Sequence, residues 1–127
     1  MNKFNNSRTR PMSPHITIYR MQMSMILSIL HRLSGMAVFG GASIITWWLI
    51  LCVYSDFDRV IVDIFYNLWF QALIYLTIFT TCFHLCTGIR HLIWDTGYGF
   101  SVKYINISGW IAVALSIIVF YVCINNF

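Results

Sequence analysis

Five side chains in this sequence combine chemical capacity with an apolar setting. His84 and His91 stand in "TTCFHLCTGIRHLIWD", while Ser28, His31 and Arg32 stand in "SILHRLSG". An imidazole can ligate metal or move a proton. A guanidinium stays charged even in apolar surroundings and, with a hydroxyl beside it, can hydrogen-bond a small carbonyl ligand. His84 lies ten residues before Trp94, about 15 Å along a helix, so with Trp94 at a membrane interface it sits within the hydrocarbon. Ionisable residues at that depth are rare and generally functional. The plainest reading is a hydrogen bond between helices. A proton relay would bring buried carboxylates, yet Asp56, Asp58 and Asp95 fall outside the apolar runs and Asp63 at the edge of one. Axial ligation of haem iron suits a solitary buried imidazole better, and Gly88, one turn on, leaves room for a flat macrocycle.

His91 is seven residues beyond His84, two turns along the same face and about 10 Å away. The two cannot sandwich one iron atom. His91 therefore reads as an interfacial group able to bond a haem propionate, or as a solvated helix end. A second axial ligand must come from another helix, either His31 or a separate subunit. Ser28, His31 and Arg32 have i, i+3 and i+4 spacing, so one helical face can present all three. Arg32 read alone is a snorkelling flank residue. Paired with Ser28 it suits a quinone carbonyl, stabilising the negative charge that develops on reduction.

These residues need a membrane framework. The chain of 127 residues is 59% hydrophobic and 9% charged, too apolar for a soluble domain of this length to cover its core. A hydrocarbon core of about 30 Å takes roughly 20 helical residues. Three runs qualify, about 33–53, 64–92 and 107–124, and residues 1–27 form an N-terminal arm read as extended. The expected fold is thus an all-α integral membrane protein, one domain of three transmembrane helices. The second run exceeds a membrane's needs, so one end should project. No internal repeat is expected.

Basic residues flank apolar segments instead of forming a stripe interleaved with exposed aromatics, so nucleic acid is not an expected partner and membrane lipid is. Lys3, Arg8, Arg10, Arg20 and Arg32 precede the first span, Arg90 and Lys103 are expected in the second loop, and the C-terminal tail has none. The N-terminus should face the cytoplasm or matrix. Trp47, Trp48, Trp69 and Trp94 suit interfaces. Ala37 and Gly41 form a small-xxx-small pair for close helix approach, within the chain or to a partner. Cys52, Cys82, Cys86 and Cys123 all lie in apolar runs and read as small buried hydrophobes. No apolar stretch adjoins the polar N-terminus as a cleavable signal would require.

Three motifs, "RPMSPHITIY", "SILHRLSG" and "HLCTGIRHLIWDTGYG", closely resemble the cytochrome b membrane-anchor (large anchor) family of succinate dehydrogenase, that is, of succinate:quinone oxidoreductase. The resemblance covers nearly the whole chain. It implies a helical bundle shared with a second, small anchor subunit and docked to flavoprotein and iron–sulfur subunits in a bacterial or mitochondrial inner membrane. It implies haem b and ubiquinone as cofactors. His84 matches the axial haem ligand, with the opposite ligand donated by the small anchor. Ser28 and Arg32 match the ubiquinone-site pair, His31 a residue near the propionates, and Asp95 an acidic position suited to proton delivery. The chain has no nucleotide-binding glycine loop and no cysteine cluster, so it is not expected to oxidise succinate by itself. The rival expectation is a haem-free structural anchor for a soluble dehydrogenase.

Overall fold

The structure is a computed structural model that describes residues 21–55 and 58–126. Among these residues are four helices, α1 (Met23–Tyr54), α2 (Arg59–Tyr66), α3 (Leu68–Asp95) and α4 (Val102–Asn125). Helices α1, α3 and α4 are each long and apolar enough to cross a membrane. Long apolar runs become helices because hydrocarbon offers no water to backbone N–H and C=O groups, and a helix satisfies them internally. The architecture is all-α, with three transmembrane helices, as the sequence predicts.

Element boundaries differ from the hydropathy reading in physically instructive ways. Helix α1 begins at Met23 and has 32 residues, about 48 Å in length. The last five residues of the expected arm are therefore its first helical residues, and Ser28, His31 and Arg32 lie within its early turns. The "RPMSPHITIY" motif falls outside the described residues. The expected second span is divided at Asn67, whose backbone is extended (φ −70°, ψ 131°) and whose side chain accepts from Trp69 N–H at 2.9 Å. An asparagine cap starts α3, leaving α2 as a separate short helix. Trp48 of α1 ties α2 down. Its Nε1–H donates to the Ile61 carbonyl at 3.0 Å, and its ring stacks on Phe65 with centroids 5.3 Å apart. At the other end of α3, Gly97 (φ +88°) and Gly99 (φ +85°) turn the chain back into α4, a backbone conformation that glycine adopts without penalty.

Small residues make the helix interfaces. The buried positions are Leu27, Ser34, Gly41 and Cys52 on α1, Cys82, Cys86, Thr87 and Arg90 on α3, and Gly109, Ala112 and Ser116 on α4. Lipid tails are as apolar as leucine, so helices associate through close packing and polar contacts instead of apolar bulk. Leu27, Ser34 and Gly41 recur every seventh residue, a narrow seam facing α3 and α4. The four cysteines are free thiols, three of them buried.

Gly41 is used within the chain, since a Cβ there would overlap the Thr77 side chain. Ala37, the other half of that small-residue pair, is exposed. Large apolar side chains such as Phe39, Leu76, Leu85 and Ile118 stay outward, as lipid-facing or partner-facing surface.

Helices α1 and α3 run antiparallel in a fixed register. From the His31–Thr87 contact to Ser34–His84 the pairing moves three residues forward on α1 and three back on α3. From there to Gly41–Thr77 it moves seven and seven. This register brings together two copies of a short pattern, "HRLSG" at 31–35 and "HLCTG" at 84–88. The match is only five residues long and spans helices of different length, so composition does not betray it.

Candidate functional site

Three of the five side chains converge. The His31 and His84 rings stack face to face, with centroids 4.0 Å apart and planes 7° from parallel. His91 lies against the His31 ring, centroids 4.9 Å apart and tilted by 50°, and meets Trp94 edge-on at 5.3 Å. His31 of α1 thus sits between two histidines of α3. All three are half-buried.

The hydrogen bonds fix which nitrogen carries each proton. Nδ1 of His84 is 3.1 Å from the His31 carbonyl, which can only accept, so Nδ1–H is the donor. The Ser34 hydroxyl donates to that carbonyl at 2.7 Å and offers a lone pair to His84 Nδ1 at 3.0 Å. Thr87 donates to the Phe83 carbonyl at 2.7 Å, and so accepts from His31 Nδ1 at 2.8 Å. Among the described residues, Nε2 of neither ring has a protein partner. Each ring thus donates from Nδ1 and turns its other nitrogen away from the described protein groups, and a ligating imidazole binds metal through the nitrogen that is not donating.

The His31 and His84 rings lie in parallel planes and do not face each other end to end, so they do not converge on one point between them. Gly35 sets the stacking from the other side. A Cβ there would lie 3.0 Å from His84 Cε1, whereas one at Gly88 would lie 3.6 Å from His31 Cε1. A Cβ at Gly88 would thus meet His31 at ordinary contact distance, and the tight approach is the one between Gly35 and His84. An apolar cleft of about 330 Å³ adjoins Ser34, lined also by Leu30, Leu33, Ala37, Phe79 and Phe83.

Ser28 and Arg32 are one turn apart on α1. Ser28 is half-buried and Arg32 is exposed. Asp95, the last residue of α3, is exposed. Arg90 behaves differently from a loop cation. It lies inside α3 at 5% exposure and reaches across to α4, donating from Nε to Ser108 Oγ and from Nη2 to the Ile105 carbonyl, both at 3.1 Å. Its Cζ sits 3.9 Å over the Trp94 ring, a cation–π contact. Ser34, Thr87, Gly35 and Arg90 are thus site residues that sequence reasoning passed over. The signal for the first three was the paired "HRLSG" and "HLCTG". Arg90 gave none, because snorkelling and inward-reaching arginines look alike in one dimension.

The sequence matches the family model "Succinate dehydrogenase/Fumarate reductase transmembrane subunit" over residues 6–123. It is 48% identical over 109 residues to the succinate dehydrogenase cytochrome b556 subunit of Rickettsia prowazekii, covering 86% of each chain. The protein of the same name from Paracoccus denitrificans is 34% identical over 125 residues, 92% of this chain and 96% of that one. The mitochondrial succinate dehydrogenase cytochrome b560 subunit of Mus musculus is 35% identical over 120 residues, 91% of this chain and 70% of that one. With three membrane-crossing helices and a family match along nearly its full length, this chain belongs to the succinate dehydrogenase/fumarate reductase transmembrane subunit family.

Proposed function

We propose that the chain is the cytochrome b anchor of a succinate dehydrogenase complex, that it provides one axial ligand to a haem b, and that it helps bind ubiquinone. The observation that carries this reading is the holding of His84. Two oxygens of α1 take its Nδ1–H, Gly35 sets its position, and among the described residues Nε2 has no protein partner. A ligating histidine is oriented in this way by what its second nitrogen donates to. When bound, haem b supplies a one-electron carrier within the membrane. Because His31 is stacked on His84, the opposite ligand is assigned to a second, small anchor subunit. His31 and His91 then stand beside the ligand, where His91 can donate to a propionate.

Quinone reduction adds two electrons and two protons, so the chain must offer a cation and a proton source near the ring. Arg32 supplies a guanidinium and Ser28 a hydroxyl one turn away, the pair suited to hold one quinone carbonyl. Asp95 stands exposed at the end of α3, suited to proton delivery. The electrons arrive from an iron–sulfur subunit, itself supplied by a flavoprotein that oxidises succinate. The basic residues that precede the first span support a docking side at the cytoplasmic or matrix face of an inner membrane.

The test is a reduced-minus-oxidised absorption spectrum of the complex purified in mild detergent. A b-type haem spectrum is expected, together with copurifying flavoprotein, iron–sulfur and small anchor chains. His84→Leu should remove or alter that spectrum. An unchanged spectrum in the variant would overturn the ligand assignment, and absence of haem from the intact complex would leave a structural anchor.

A further inference from the structure

We infer that Ser34 and Thr87 are positioning residues of a reciprocal clasp, in which each of two antiparallel helices fixes the other's histidine, and that Ser34 thereby tunes the electronic character of His84. The inference rests on the proposed role of His84 and adds to it the groups that set its tautomer.

The clasp is built from one pattern used twice. In "HRLSG" the serine follows His31 by three residues, and in "HLCTG" the threonine follows His84 by three. A hydroxyl at that position back-bonds to its own helix, Ser34 to the His31 carbonyl and Thr87 to the Phe83 carbonyl. Its only proton is then committed. What remains is a lone pair directed across the interface, where the opposite histidine donates its Nδ1–H. The antiparallel register makes the exchange mutual. The following glycines complete it, Gly35 beside His84 and Gly88 beside His31.

The two halves are unequal. His84 Nδ1–H has two acceptors, Ser34 Oγ at 3.0 Å and the His31 carbonyl at 3.1 Å. His31 Nδ1–H has one, Thr87 Oγ1 at 2.8 Å. Ser34 is 6% and Thr87 1% exposed, so water does not replace either hydroxyl freely. An acceptor on Nδ1–H raises the basicity of Nε2. A more basic ligand favours the oxidised form of a bound haem.

The experiment compares Ser34→Ala, Ser34→Thr and Thr87→Val in the assembled complex, reading haem content and midpoint potential by redox titration. Ser34→Ala should keep haem and raise the potential, shifting the oxidised-to-reduced ratio by up to about tenfold, about 59 mV for one electron. Ser34→Thr should return it towards the parent value, because the hydroxyl is restored. Thr87→Val should move the potential less than Ser34→Ala, since it frees a histidine that does not ligate. An unmoved potential in Ser34→Ala overturns the inference. So do equal shifts from Ser34→Ala and Thr87→Val, or failure of Ser34→Ala to assemble, which would make the hydroxyl a folding determinant only. Failure of the ligand reading itself shows separately, as an unchanged spectrum in His84→Leu.

Discussion

The pentads "HRLSG" on α1 and "HLCTG" on α3 share histidine, hydroxyl and glycine at the same positions, yet they do different work. The α1 copy contributes the tight elements, a serine and a backbone carbonyl on His84 Nδ1 and a glycine that a Cβ would bring to 3.0 Å from the ring. The α3 copy holds His31 through Thr87 alone, with 3.6 Å of clearance at Gly88. The histidine that is held more tightly is the one assigned to iron. A ligand must stay oriented against the pull of thermal motion, whereas a neighbour serves by filling space and donating hydrogen bonds. Equal chemistry in one dimension becomes unequal chemistry once register decides which residue meets which.

The arginines beside the two pentads extend this comparison and give its largest expected effects. Arg32 is exposed on α1, and Arg90 is buried between α3 and α4. Arg32→Leu should lower quinone reduction by about a hundredfold, the usual cost of removing one charge-stabilising donor. Succinate oxidation with an artificial acceptor should be nearly unaffected. Arg90→Leu should lower both activities together, because it removes two hydrogen bonds and a cation–π contact that join α3 to α4. The expected loss of stability is about 2 kcal/mol, read as a lower unfolding temperature in detergent. Equal loss of both activities in Arg32→Leu would erase the distinction between the two arginines.

The next effect sharpens the role of the shared seam. Gly41→Ala drives a Cβ into Thr77 and should destabilise the α1–α3 pair by about 1–3 kcal/mol. Adding Thr77→Ala removes the hydroxyl and methyl that crowd it, and should recover part of the loss. No recovery in the double variant would mean that the seam is not what Gly41 serves. The smallest effect is a contrast within the pentads. Gly35→Ala should broaden or shift the haem spectrum with a cost of about 1 kcal/mol, while Gly88→Ala should stay within about 0.5 kcal/mol and leave the spectrum alone. Indistinguishable spectra would place the two glycines on an equal footing and break the comparison.

Much of the fold was legible because hydropathy is a one-dimensional property. Three apolar runs long enough for a bilayer can do little else but become helices. What hydropathy missed were the ends. The run at 64–92 looked continuous, but Asn67 caps α3 and separates α2, since capping depends on one side chain and not on average polarity. The start of α1 at Met23 was hidden for a different reason: no side chain caps it, and Met23, Ser24 and Met25 extend a helix as readily as a loop.

The histidines, the Ser28–Arg32 pair and the three spans were thus determined by the sequence itself, since composition and i, i+4 spacing act within a single helix. Only the tertiary structure decided that His31 lies on His84, that Ser34 and Thr87 serve the opposite helix, and that Arg90 turns inward. Those contacts join different helices, in two of the three cases across fifty or more positions. They follow from an antiparallel register that small residues select by allowing close approach, and no local pattern contains it.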